Sequence, residues 1–155
     1  MIFFHTQFGY GKHHSTGHAT IELVDRIHKT LDTGELPIAI FLDLSKAFDM
    51  INHTILLEKL QKYGLNSTAL KWFSSYLTDR MQCVDFESNI SSFLPIDKGV
   101  PQGSILGPLL FLIFINDMHA CSDKFSDIMF ADDTTLTNPM CTFANVNGDI
   151  KKNQL

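Results

Sequence analysis

The segment Ser126-Asp127-Ile128-Met129-Phe130-Ala131-Asp132-Asp133-Thr134-Thr135-Leu136 constrains the fold more than any other part of this chain. Two short β-prone runs, 127–130 and 134–137, flank a small residue and two adjacent aspartates. That pattern predicts a tight hairpin with Asp132 and Asp133 at its tip. Neighbouring carboxylates repel, so the pair must be exposed or neutralised by a cation. A solvated turn would account for it alone, because Asp is a common turn residue. A third carboxylate argues for more. Asp43 sits near the end of a second apolar run, Ile38-Ala39-Ile40-Phe41-Leu42-Asp43-Leu44.

The rest of the chain supplies helices to cover such a sheet. Residues 1–18 read as an aromatic, glycine-containing loop. Ser15 or Thr16 can cap a helix running to about Thr30, with Ile21, Val24, Ile27 and Leu31 on its apolar face and Gly34 as its stop. The run 38–44 has no polar alternation, which predicts a strand covered on both faces. Helices follow over about 54–63, ended by Gly64, and over 67–77, capped by Asn66. Trp72 and Tyr76 in the second of these read as packing aromatics. Two strands, 81–87 and 90–98, should join at Ser88-Asn89. Ser104 can then cap a helix that is apolar on every face from Leu109 to Ile115, with Pro108 in its first turn. Such a helix belongs at the centre of a core. From Asn138 onward the apolar pattern fades, which suggests a frayed or truncated tail.

Composition narrows the function. With 155 residues and 45% apolar content the chain can build one real core. Its longest apolar run, 105–115, is too short to span a bilayer, and the N-terminus lacks a signal-peptide pattern. Cys83, Cys121 and Cys141 are odd in number and widely spaced, which fits a reducing, intracellular compartment. The net charge of −5 argues against a protein that mainly coats nucleic acid, though not against handling phosphates through bound cations.

Clustered carboxylates have two uses. They bind hard divalent cations, or they form an acid/base pair as in glycosidases. Adjacent aspartates on a turn suit metal better, since an acid/base pair needs room for substrate between its members. Two cations about 4 Å apart stabilise both the attacking and the leaving oxygen of a phosphoryl displacement. His13, His14 and His18 invite a zinc reading, but no Cys or carboxylate nearby completes the set, so a solvated or phosphate-adjacent cluster comes first.

Four motifs in order give the chain a family resemblance. They are Gln7-Phe8-Gly9-Tyr10 with Lys12 and His14-Ser15-Thr16; Phe41-Leu42-Asp43-Leu44-Ser45-Lys46-Ala47-Phe48-Asp49; Gly99-Val100-Pro101-Gln102-Gly103-Ser104 with Leu106-Gly107-Pro108; and Phe130-Ala131-Asp132-Asp133. Together they resemble the reverse transcriptase domain of non-LTR (LINE-type) retrotransposons, most like the jockey-like branch, from Gln7 to about Leu136. The first looks like the fingers-side motif, the second and fourth like the catalytic palm motifs, and the third like the nucleotide-pocket turn with its helix.

The resemblance implies an α/β (α+β) palm-type polymerase core, a small antiparallel sheet backed by helices, with incomplete fingers and no thumb. It divides the chain into a residual fingers segment at 1–34, a palm core at 35–137 and a polar tail at 138–155. It implies that Asp43 and Asp132 ligate two Mg²⁺ ions (Mn²⁺ being possible), that Asp133 assists, and that the Leu44 carbonyl completes one metal shell. Backbone amides across Ser45, Lys46, Ala47 and Phe48 would meet the incoming triphosphate. The Phe48 ring would lie under the sugar and clash with a 2′-hydroxyl, and Gln102 would line the nucleotide or template side. The implied partners are an RNA template with a DNA primer and deoxynucleotides in the full-length enzyme. For this acidic chain alone, weak nucleic-acid binding and no membrane association are expected, as is an intracellular location in cytoplasm or nucleus.

The pattern also departs from the family. Gly11 stands where Arg is usual, Gly17 where Glu is frequent, and Phe130 where Tyr is commoner. A primer grip and thumb are not recognisable after the hairpin. The rival expectation is therefore a folded remnant that does not polymerise. A metal-dependent phosphohydrolase is a third reading, which leaves the Pro-Gln-Gly turn and Phe48 unexplained.

Overall fold

The structure, a computed structural model, describes residues 5–11 and 13–140. Along the chain the helices are α1 (Thr16–Asp32), α2 (His53–Lys62), α3 (Ser67–Leu77) and α4 (Leu106–Ile115). The strands are β1 (Leu36–Leu42), β2 (Arg80–Gln82), β3 (Asp85–Phe86), β4 (Asn89–Ile90), β5 (Leu94–Ile96), β6 (Ser126–Phe130) and β7 (Asp133–Met140). A 3-10 turn at Met118–Cys121 precedes β6. Two compact units result, Met1–Leu44 with Asp117–Leu155, and Ser45–Asn116. Expectations that fall on Lys12, Cys141 and the tail from 141 lie outside the described residues.

The first unit is built on a three-stranded antiparallel sheet in the order β1-β7-β6. β7 is central because it pairs with β1 from Leu36↔Met140 to Leu42↔Thr134 and with β6 from Ser126↔Thr137 to Phe130↔Asp133. β1 starts two residues earlier than its apolar run suggests and stops at Leu42. Nor is it covered on both faces: Phe41 is 71% exposed and residues 37–40 are only half-buried. Among the described residues β1 has a single strand neighbour, and Pro37, which lacks an amide donor, is tolerated there because an outer strand has unpaired positions.

The 5–11 segment is not all loop. Gln7 pairs in parallel with Met129 on the outer side of β6, with Met129 N donating to Thr6 O (2.9 Å) and Phe8 N to Met129 O (2.7 Å). Beneath this, Thr6 Oγ1 donates to Asp127 Oδ2 at 2.7 Å between two buried side chains. Covering a free sheet edge in this way also satisfies its backbone groups.

α1 is capped by Ser15, whose hydroxyl accepts from His18 N, and stopped at Gly34, whose φ of 76° favours a residue without Cβ. It contacts β1 and β6. The expected apolar face is only partly the one turned inward. Ile21 and Leu31 are exposed, whereas Leu23, Arg26, Ile27 and Thr30 are half-buried. Arg26 explains the rotation. Its guanidinium donates to Asp127 O (3.2 Å) and Thr137 Oγ1 (3.4 Å) and pairs with Glu22 (2.8 Å), so a charged residue lies on the inner face because its donors are used.

In the second unit α2 packs on α3 and α4. Asn52 Oδ1 accepts from Ile55 N and Asn66 Oδ1 from Ala69 N, which fixes the starts of α2 and α3. Leu56, Leu60, Leu77, Leu110 and Phe111 are buried, and α4 also buries Gly107, Leu112, Ile113 and Ile115. The helix without a polar face is thus a core helix, as its sequence requires. Ser104 caps from one residue further out: its hydroxyl accepts from Gly107 N at 3.0 Å and donates to Pro101 O at 2.7 Å.

Two aromatic and hairpin expectations need correction. Trp72 is 54% exposed and stacks on Tyr76, ring centroids 5.5 Å apart, so it covers the outside of α3 instead of filling the core. The 81–98 ribbon forms as two short ladders, β2–β5 and β3–β4. Its turn is Glu87–Ser88, one residue earlier than expected. Both residues have positive φ (48° and 67°), the twist that a two-residue hairpin needs.

Candidate active site

The hairpin is tighter than its sequence suggests. Phe130↔Asp133 is the last strand pair, so the turn consists of Ala131 and Asp132 alone. Asp132 is at the tip and half-buried, while Asp133 is already the first residue of β7 and exposed. Ala131 is buried with φ 57°. On the neighbouring strand Leu42↔Thr134 is the last pair. The same antiparallel register continued by one residue carries Asp43 across from Asp133, and Asp43 is exposed. Backbone pairing thus delivers all three aspartates to one end of one sheet, with Leu44 half-buried just beyond.

Oxygen-only donors on short, stiff segments fit a hard divalent cation. As the side chains stand, no group of three His, Cys, Asp or Glu among the described residues is gathered closely enough to hold a metal. The histidine group is likewise open: the His14 and His18 rings lie edge to face at 6.4 Å, and His14 sits against Phe8 at 5.0 Å.

The remaining predicted site residues belong to the second unit. Residues 45–50 form a turn about Lys46, whose φ is 53° and whose carbonyl accepts from Asp49 N (2.9 Å) and Met50 N (3.1 Å). Ser45 and Lys46 are exposed, and Ala47 and Phe48 are half-buried. The Phe48 ring stacks on Phe111, centroids 4.5 Å apart and planes 26° apart. Its carbonyl accepts from Val100 N at 3.0 Å, tying this turn to the 99–104 loop.

That loop begins at Gly99, which has φ 81° and approaches Asp49 so closely that a Cβ would lie 2.8 Å from the Asp49 Cα. His53 Nε2 donates to Gly99 O at 2.7 Å and fixes it from the other side. Gln102 is exposed, and its Nε2 donates to Asp49 Oδ1 at 2.8 Å. Lys46, Asp49, Arg80, Lys98 and Gln102 line an open cleft of about 600 Å³.

Two partnerships were not legible in the sequence. Asp49 and Gln102 are 53 positions apart, and nothing in their spacing pairs them. Gln7 is buried and bonds to the backbone of Ala131, 124 positions away. The one available signal was the place of each residue inside a recognisable motif.

The sheet and helices define a polymerase-palm type of α/β fold. The structure of telomerase from Candida albicans, in complex with a fragment of telomeric RNA, matches 95% of this chain and 28% of its own at a TM-score of 0.68 and 16% identity. At sequence level, residues 1–142 match the family model for reverse transcriptase (RNA-dependent DNA polymerase), and the chain belongs to that family. It is 36% identical over 135 residues to the probable RNA-directed DNA polymerase from transposon X-element of Drosophila melanogaster. It is 35% identical over 112 residues to the RNA-directed DNA polymerase from mobile element jockey of the same species. These matches cover 84% and 72% of this chain but only 15% and 12% of those relatives. The resemblance to the jockey-like reverse transcriptase domain is therefore borne out, as is the palm-type fold. Among the described residues no helix is long and apolar enough to cross a membrane.

Proposed function

We propose that this chain supplies the palm of an RNA-directed DNA polymerase of a non-LTR retrotransposon. The observation that carries the reading is the register that brings Asp43, Asp132 and Asp133 to one end of the β1-β7-β6 sheet. In the reaction a primer 3′-hydroxyl attacks the α-phosphorus of a deoxynucleoside triphosphate, the bond to the pyrophosphate oxygen breaks, and the hydroxyl proton leaves to solvent. Asp43 and Asp132 would hold two Mg²⁺ ions, with Asp133 assisting and the Leu44 carbonyl completing one shell. When bound, such ions lower the cost of charge on the attacking and leaving oxygens.

The chain's own residues do the positioning. On this reading, amides of the Ser45–Phe48 turn would meet the triphosphate, and Gln102, whose amide is held by Asp49, would line the nucleotide or template side. Phe48 limits the space beneath the sugar, its ring braced by Phe111. An RNA template and DNA primer are the partners this reading requires.

The test is calorimetric titration of the chain with Mn²⁺. Weak binding is expected in the wild type, weaker binding in Asp132→Asn, and none in the variant with Asp43, Asp132 and Asp133 all changed to Asn. Equal binding by wild type and triple variant would overturn the reading. Without metal the triple variant should fold at least as well as the wild type, because carboxylates brought to one sheet end repel one another.

A second expectation concerns sugar choice. In a complete polymerase carrying this segment, Phe48→Val should raise the relative use of ribonucleotides by about tenfold or more, since removing a ring opens space without adding a contact. The ratio of kcat/KM for ribo- and deoxynucleotides measures this. The assay temperature must lie below the melting point of the variant, which loses its stack on Phe111. Unchanged discrimination would assign the ring to core packing alone.

A further inference from the structure

The motif Gln7-Phe8-Gly9-Tyr10 contributes no group to the phosphoryl transfer itself, yet its Gln and Gly meet the aspartate hairpin. Gln7 is 6% exposed. Its Oε1 accepts from Ala131 N at 3.1 Å and from Gly9 N at 2.8 Å, and its Nε2 donates to Ala131 O at 3.4 Å. One buried amide therefore binds both backbone polar groups of the residue that immediately precedes Asp132. Gly9 completes the fit: a Cβ there would lie 2.2 Å from Ala131 N and 2.9 Å from Ala131 Cα. The backbone bonds of Thr6 and Phe8 to Met129 hold the segment in place along β6.

Ala131 needs such a hold. It is the first residue of a two-residue turn, and its φ of 57° is a conformation that Gly adopts freely but that L-residues other than Asn and Asp seldom do. A strained backbone of this kind persists where the surroundings over-determine it. Turning Ala131 out of that conformation would redirect the next residue, whose carboxylate is the tip of the site. Loss of the amide would also withdraw all three of these hydrogen bonds, which lie at buried positions.

We propose that Gln7 is a positioning residue: its buried amide holds Ala131 in the left-handed conformation that sets where the carboxylate of Asp132 projects. The consequence for catalysis rests on the reading above, in which Asp132 is a metal ligand.

The experiment is a double-mutant cycle in the metal-free chain, comparing wild type, Gln7→Met, Ala131→Gly and the double variant. Met keeps the length of Gln without its donors and acceptor, and Gly adopts positive φ without help. Gln7→Met alone should lower hydrogen-exchange protection of the Ala131 and Gly9 amides by about tenfold or more and shift the Asp132 resonances. Its effect on the folding equilibrium should be several-fold smaller when position 131 is Gly, because the turn no longer needs holding.

Additive effects, or unchanged Asp132 resonances in Gln7→Met, would overturn the proposal. So would failure of Gln7→Met and the double variant to fold while Ala131→Gly folds, since Gln7 would then support more than the turn. Mn²⁺ broadening of Asp132 resonances, read on the same samples, should weaken in Gln7→Met. A wild-type chain with no Mn²⁺ response overturns the metal reading instead, and the coupling between positions 7 and 131 still decides this one.

Discussion

Asp132→Asn is expected to lower primer extension by at least about a thousandfold, equivalent to roughly 4 kcal/mol of transition-state stabilisation. The substitution keeps the size and one acceptor oxygen, but it replaces the other oxygen with an NH2 donor and removes the charge at the tip of the β6–β7 turn. Asp132 is only half-buried and lies in a two-residue turn, so the fold has little reason to change. The measurement is single-nucleotide extension on an RNA template, with the segment joined to the flanking portions of the X-element relative. A thermal melt of each protein separates loss of chemistry from loss of fold. Extension within tenfold of the wild type would remove Asp132 from the machinery, and with it the reading of the site. Asp133→Asn should cost less, because Asp133 is exposed at the start of β7 and the part proposed for it is only auxiliary.

The largest expected effect on stability is at Phe111. Its ring is 1% exposed and stacks on Phe48 at 4.5 Å. Phe111→Ala removes a full aromatic from a closed core and leaves a cavity that α4 cannot collapse around, at a cost of about 3–5 kcal/mol. Domains of this size have roughly 5–15 kcal/mol in total, so the melting point should fall by roughly 6–20 °C. Leu109→Ala on the same helix is the control. Leu109 is 41% exposed, and its loss should cost much less. Equal shifts for the two would mean that α4 is not buried on the side the structure shows. Because Phe48 leans on Phe111, the stability change should also loosen sugar discrimination, which couples the second unit's core to the proposed nucleotide pocket.

Much of the local structure could be read from neighbouring residues. α3 begins and ends where Asn66 and Leu77 predict, because a side-chain cap and a 3.6-residue apolar repeat act within one or two turns. α4 had to be buried, because Leu109 to Ile115 offers no polar face. The hairpin and its aspartates followed from turn chemistry and two β-prone runs, and the family followed from four motifs in order. Each of these signals is carried by residues close in sequence or by a pattern that survives without knowing the partner.

Tertiary structure decided what depends on a partner. β1 looked doubly covered, but it is an outer strand with Phe41 in solvent, because the sequence of a strand does not say how many neighbours it will receive. The inner face of α1 was set by Arg26, whose guanidinium reached Asp127 O and Thr137 Oγ1, so hydrogen bonding outweighed the apolar repeat. A loop at residues 6–8 became the parallel neighbour of β6, because the strand's outer edge had donors and acceptors to satisfy. The same pairing brought Gln7 to Ala131 across 124 positions. The three aspartates and the motifs that carry them were legible in the sequence alone, whereas the register that sets Asp43 across from Asp133, and the amide that grips the turn before Asp132, came only from how the edges of β6 and β7 were filled.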